Sequence, residues 1–145
     1  MRVVFDLDGT LVDSRADIVS ATNFALAAAG RPPLPGRVVT GYIGDGARSL
    51  MARAAGLPEH DPAVEPFLRS FLDHYGDHAT ERTLPLPGAV AVLETLQQTV
   101  PLALCTNKPR RTTLRVLSAL GLHGYFSALV CGDDLGSAAH LPPGA

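Results

Sequence analysis

The chain has 145 residues, 46 % of them apolar and 18 % charged, with a formal net charge of −2. That size suits one modest domain or a small domain with an insertion, and the composition excludes a disordered acidic or basic tail. The basic residues form no stripe, so no nucleic-acid partner is expected. No apolar run approaches the ~18 residues that a membrane-spanning helix needs.

RVVF, residues 2–5, predicts a short buried strand, β-branched and too short for a helix. DLDGT then turns the chain. Ile18, Val19, Ala21, Ala25, Leu26 and Ala29 recur at helical spacing and predict a helix from about Ser14 to Ala29, stopped by Gly30. RPPLPG follows as a loop. GYIGDG is glycine-rich and loop-like, and a second helix runs through GARSLMARAAG. A third follows Asp61-Pro62 through AVEPFLRSFLDHYGDHA, with Pro66 near its first turn, where proline costs little.

Near residue 83 the texture changes. LPLPG leads into a helix (AVAVLETLQQ), a strand (PLALCT), a helix (RRTTLRVLSALG) and a strand (SALVCG). Helix and strand alternating over short connections predict a parallel sheet. One strand separated from its sheet partners by a helical block predicts an inserted domain. Cys105 and Cys131 each end an apolar run and are expected as buried thiols on strands. There is no CxxC spacing, no Cys/His metal pattern and no signal peptide, so a reducing cytoplasm is the default location.

The chemistry concentrates in VVFDLDGTLVDS, residues 3–14. Side chains at i and i+2 of a strand point the same way. Asp6 and Asp8 are therefore expected to face one spot at the carboxyl end of the first strand, where open α/β sheets bind ligands. Two converging carboxylates repel unless a cation lies between them or one takes a proton. Oxygen ligands of high charge suit Mg²⁺. A carboxylate can also attack phosphorus while its neighbour serves as acid and base. Gly9 would let the backbone turn tightly and leave amides free for an anion. Two plainer readings fit less well. An EF-hand frame starting at Asp6 puts Leu11 at the glycine position and Asp17 at the final glutamate. A hairpin turn at Asp8-Gly9 needs a second strand at once, whereas the following residues are helical in pattern.

FDLDGTLVDS resembles the first motif of the haloacid dehalogenase-like hydrolase superfamily, and CTNKP, 105–109, resembles its second. The helical block resembles that superfamily's cap. GYIGDGARSLMARA, FLDHYGDHA, LPLPGAVAVLETL and ALCTNKP are similar to segments of its phosphoglycolate phosphatase branch. The resemblance implies a Rossmann-like three-layer α/β core formed by residues 1–14 and 82–145 and lacking its C-terminal strands, with a helical cap over 15–81. It implies Asp6 as nucleophile, Asp8 as acid and base, and Mg²⁺ held by Asp6 and Asp8. Gly9, Thr10, Thr106 and Asn107 would bind the phosphoryl group. The implied substrate is a small phosphomonoester, 2-phosphoglycolate first, with a sugar-phosphate phosphatase or phosphomutase as alternatives. The cap would close over the site and exclude water. Gly44, Asp45 and Gly46 read either as its substrate loop or as a turn leading into a helix. Relatives often carry asparagine where Asp45 stands, and Asp45 would repel a carboxylate.

The resemblance also shows what to expect after GDD, residues 132–134: a lysine that neutralises the site, a further helix and strand, and an acidic pair completing the metal shell. GDDLGSAAHLPPGA has none of these. Lys108, the one lysine of the chain, lies in a different connection and is not expected to replace the missing one. Asp133 and Asp134 match the end of the third strand rather than the acidic pair and are not assigned to metal. The reading is therefore of a truncated product with little or no activity. Its first strand would lie at a sheet edge with one uncovered flank, open to aggregation or self-association. A non-catalytic remnant that binds a partner there is the competing reading.

Overall fold

The computed structural model describes residues 1–134. The tail after Gly136, expected to be irregular, lies outside the described residues. The chain forms two compact units: Met1–Ser14 with the chain from Thr83 onward, and Arg15–Arg82.

In the first unit, β1 (Val3–Phe5), β4 (Leu102–Cys105) and β5 (Ala128–Val130) make a parallel sheet in the order β1-β4-β5. Val3, Val4 and Phe5 pair with Leu102, Ala103 and Leu104. Helix α5 (Ala89–Gln97) and helix α6 (Arg110–Ala119) carry the crossovers. Leu93, Leu102, Leu104, Val116, Leu117 and Leu122 are buried and form the core. Among the described residues β1 has one neighbour and is the sheet edge. The expectation of a buried first strand is corrected accordingly: Val4 is 41 % exposed. A β-branched run is covered only where a neighbour covers it, and β1 has one on a single side.

Two short strands escaped the sequence reading. β2 (Val12–Asp13) pairs antiparallel with β3 (Leu84–Pro85), matching Val12 to Pro85 and Asp13 to Leu84. The chain does become extended right after the Gly9 turn, though its partner comes from the far side of the insertion. The periodicity that marks a helix from about Ser14 holds only from Arg15.

The second unit is all-helical: α1 (Arg15–Ala28), α2 (Gly36–Thr40), α3 (Ala47–Ala55) and α4 (Val64–His78). α1 and α3 pack on α4. Ile18, Ala21, Ala25 and Leu26 of α1 meet an apolar stripe of Val64, Phe67, Phe71 and Tyr75 on α4, all buried. α1 stops at Gly30, whose φ of 72° lets Arg31 N–H close back on Leu26 O at 2.8 Å. α2 was not foreseen; RPPLPG ends at its first residue. Asp17, buried on α1, accepts Arg82 N–H on both carboxylate oxygens, at 3.1 and 2.9 Å, so the unit's opening helix holds its last residue. Among the described residues no helix is long and apolar enough to cross a membrane.

Candidate active site

Asp6 is the first residue beyond β1. Leu7 is fully buried between Asp6 and Asp8, which are both more exposed than it. Asp6 is exposed and Asp8 half-buried. Asp6 Oδ1 accepts the N–H of Leu7 at 2.8 Å. Loss of solvation, added to by the charge of Asp8, pushes the Asp6 carboxyl above the ordinary carboxylate range; the Leu7 amide and Lys108 oppose the shift without cancelling it.

Gly9 makes the turn, at a φ of 78° that L side chains rarely adopt. The expectation that this turn leaves amides free for an anion is not met at Gly9 or Thr10. Gly9 N–H donates to Val12 O at 2.9 Å, and Thr10 N–H donates to Leu7 O at 3.2 Å. Leu11 and Val12 N–H reach the same Leu7 carbonyl at 2.9 and 3.2 Å. A turn this tight needs those amides to hold itself closed. What Thr10 can offer a phosphoryl group is its hydroxyl.

Because β4 lies beside β1 and runs parallel to it, residues after Cys105 arrive at the same end as residues after Phe5. Thr106 is buried; its N–H donates to Val130 O at 2.9 Å and its Oγ1 accepts Lys108 N–H at 3.1 Å. Asn107 is exposed at the tip. Lys108 turns inward, 6 % exposed, and brings Nζ to 3.2 Å from Asp8 Oδ1. In sequence this lysine lies in a different connection from the one where the resemblance expects a lysine. Strand adjacency brings Lys108 and its connection to Asp8. The same Asp8 oxygen accepts the Ser14 hydroxyl at 2.6 Å, and Ser14 is buried.

The connection is clamped from β5. Gly132 N–H donates to Lys108 O at 2.9 Å. A Cβ at Gly132 would stand 2.0 Å from Asn107 O, so the two backbones touch. Thr113 Oγ1 donates to Pro109 O at 2.9 Å. Asp133 Oδ1 accepts Arg110 N–H at 2.8 Å, and Asp134 takes the Arg110 guanidinium with both oxygens, at 2.8 and 2.6 Å. That pairing, with the Cys131 amide, holds the Asp134 carboxyl down to about 2. Both aspartates thus anchor α6.

Gly44, Asp45 and Gly46 lie in the helical unit, just ahead of α3, with φ of 131° at Gly44 and 92° at Gly46. Asp45 Oδ2 accepts Arg53 Nη2 at 3.1 Å. That exposed pairing partly balances the Asp45 charge.

Ser14, the inward turn of Lys108 and the Gly132 contact were missed. Ser14 ends the very motif that was singled out, six residues beyond Asp8. Lys108 carried a signal as the chain's one lysine; Gly132 carried none, because a close backbone approach leaves no trace in a single sequence.

The family model described as Haloacid dehalogenase-like hydrolase matches residues 3–140. A phosphoglycolate phosphatase of Agrobacterium fabrum is 41 % identical over 136 residues, covering 90 % of this chain and 58 % of that protein. An N-acetylmuramic acid 6-phosphate phosphatase of Pseudomonas aeruginosa is 35 % identical over 134 residues, covering 92 % of this chain and 59 % of that protein. A crystal structure described as "a predicted phosphoglycolate phosphatase from haemophilus somnus 129pt" superposes with a TM-score of 0.80 at 33 % identity, over 90 % of this chain and 61 % of that one. The chain spans about three fifths of the length of these relatives.

Proposed function

The chain belongs to the haloacid dehalogenase-like hydrolase family, and from that premise we propose that its carboxylate pair hydrolyses a small phosphomonoester, 2-phosphoglycolate first. The observation that carries this reading is the convergence of Asp6, Asp8 and Lys108 at the adjacent ends of two parallel strands.

In the proposed reaction an Asp6 oxygen attacks phosphorus and the ester P–O bond breaks. The leaving alkoxide takes a proton from Asp8. Asp8 then takes a proton from water, whose oxygen displaces Asp6 and releases phosphate. Ser14 and Lys108 both occupy Oδ1 of Asp8, which leaves Oδ2 to carry the proton. The Thr106 and Asn107 side chains, with the hydroxyl of Thr10, would orient phosphoryl oxygens.

Among the described residues no group of three or more His, Cys, Asp or Glu side chains stands together to hold a metal, so Mg²⁺ would rest on few protein ligands. With Asp6 Oδ1 bonded to Leu7 N–H, Asp6 Oδ2 and the Asp8 carbonyl are the hard oxygens that would hold it, and Mg²⁺ needs only one or two carboxylates beside water and phosphate. When bound, the ion would neutralise phosphoryl charge. Gly44, Asp45 and Gly46 are proposed for substrate recognition from the helical unit.

The test is phosphate release from 2-phosphoglycolate by the purified chain, with and without Mg²⁺. Because the chain spans about three fifths of its relatives' length, the expected result is at most weak Mg²⁺-dependent turnover that Asp6→Asn abolishes; turnover unaffected by that substitution would overturn the assignment. The muramic-acid phosphatase relative favours a sugar phosphate as second substrate class, which a substrate panel separates. Among the described residues the β1 edge is open, which favours a second reading, a non-catalytic chain that pairs with a second copy. A well-folded dimer without turnover would support it.

A further inference from the structure

A line of stacked rings joins α1 to α4 inside the helical unit, and the proposed chemistry does not use it. Phe24 of α1 lies on His74 of α4, with ring centroids 4.1 Å apart and planes 17° from parallel. His74 lies in turn on His78, one helical turn further on, at 4.1 Å and 20°. His78 Nδ1 meets Glu81 Oε1 just past the helix. His74 is thus stacked between two rings, while Phe24 remains 48 % exposed. The buried stripe of α4, from Val64 to Tyr75, includes neither histidine, so the stack is a separate seam along the same helix pair.

We propose that this stack is an acid-operated seam: neutral imidazoles hold the outer side of α1 on α4, and protonation of the two rings parts them and uncovers Phe24. Two imidazolium rings face to face at this distance repel, and a ring packed between two others has little water to solvate its charge. Both effects hold His74 below the ordinary histidine range, loss of solvation first and the charge of His78 second; Glu81 and Asp77 oppose them without cancelling. These charged neighbours all come from α4 and the turn after it, and α1 contributes the Phe24 ring. The attraction of a cation for an aromatic face acts the other way, and removing the His78 charge isolates it. Because the folded state disfavours a proton on His74, the stability the seam lends is complete above the ordinary histidine value of ~6.5 and is lost as pH falls below it. The apolar stripe beneath carries no titrating charge, so α1 stays seated while its outer side opens.

The test follows the ring protons of His74, His78 and Phe24 in the full chain by NMR between about pH 8 and pH 5, the interval in which histidine titrates, with urea denaturation at both ends. The expected result is a His74 midpoint below the ordinary histidine value, with the Phe24 signals moving toward unstacked positions along the same curve. His78→Gln should raise that midpoint and leave Phe24 stacked in acid. His74→Phe keeps three rings and takes no proton, so its Phe24 signals should hold still and its urea midpoint should fall less than that of the wild type between the two pH values. A His74 midpoint at or above the ordinary value, Phe24 signals indifferent to it, an unmoved midpoint in His78→Gln, or a full acid response in His74→Phe would overturn the seam. None of these outcomes depends on turnover of 2-phosphoglycolate.

Discussion

Lys108 Nζ lies 3.2 Å from Asp8 Oδ1, and this contact links the two strands that carry the site. The lysine side chain is 3 % exposed and the aspartate 17 %. Removing one partner of a buried pair leaves the other charge uncompensated, at a cost of about 3–5 kcal/mol. Lys108→Met is therefore expected to lower unfolding free energy by about 3 kcal/mol. Asp8→Asn combined with Lys108→Met should recover much of the loss. Urea denaturation of the wild type, both single variants and the double variant measures the coupling; strictly additive losses would refute it.

Gly132→Ala tests the clamp under the Asn107–Lys108 peptide. A methyl 2.0 Å from a carbonyl oxygen has nowhere to go unless backbone moves. Overpacking of this kind costs about 1–3 kcal/mol, and here the upper end is expected. The loop must shift, so the Lys108 contact to Asp8 should loosen too. A denaturation midpoint equal to wild type would refute the clamp.

Acid stability should report Asp134. Its carboxyl is held down to about 2, against ~3.9 for an unpaired aspartate. A depressed native value means stabilisation that is complete above about pH 4 and is lost as pH falls toward 2. Arg110→Ala removes the largest cause of that shift, so its stability should fall less steeply than wild type over that interval. Parallel pH curves for the two proteins would contradict the assignment. Arg110 is well exposed, so solvent screening keeps the effect modest.

Asp17 is expected to hold the end of the helical unit. Hydrogen bonds to a charged acceptor contribute about 1.5–3 kcal/mol each, and Arg82 N–H reaches both oxygens of a buried carboxylate. Asp17→Ala should cost roughly 2 kcal/mol and leave the Arg82 amide exchanging freely. Hydrogen exchange read at Arg82 decides it: unchanged protection means the latch is not where the stability lies.

The long elements were legible because their signals are redundant. α4 repeats an apolar residue every third or fourth position from Val64 to Tyr75, and β4 is a solid apolar run. β2, β3 and α2 are two to five residues long, too short for any period to show, and their pairing is decided by partners distant in sequence. In the site, Asp6 and Asp8 were visible because two carboxylates one residue apart follow directly on an apolar strand. The inward turn of Lys108 was not, since it depends on which strand neighbours β1. The amides of Gly9 and Thr10 were misjudged because a motif shows where a turn falls and not how its hydrogen bonds are spent.

The β2–β3 ribbon has a consequence for how this chain can be rebuilt. Asp13 and Leu84 are cross-strand partners, so the whole helical unit leaves and re-enters at neighbouring positions. A two-residue Asn-Gly link would turn the ribbon into an ordinary hairpin. The helices are thus an insertion between paired positions, and a different insertion could be spliced at the same junction with the Val12–Pro85 and Asp13–Leu84 register kept.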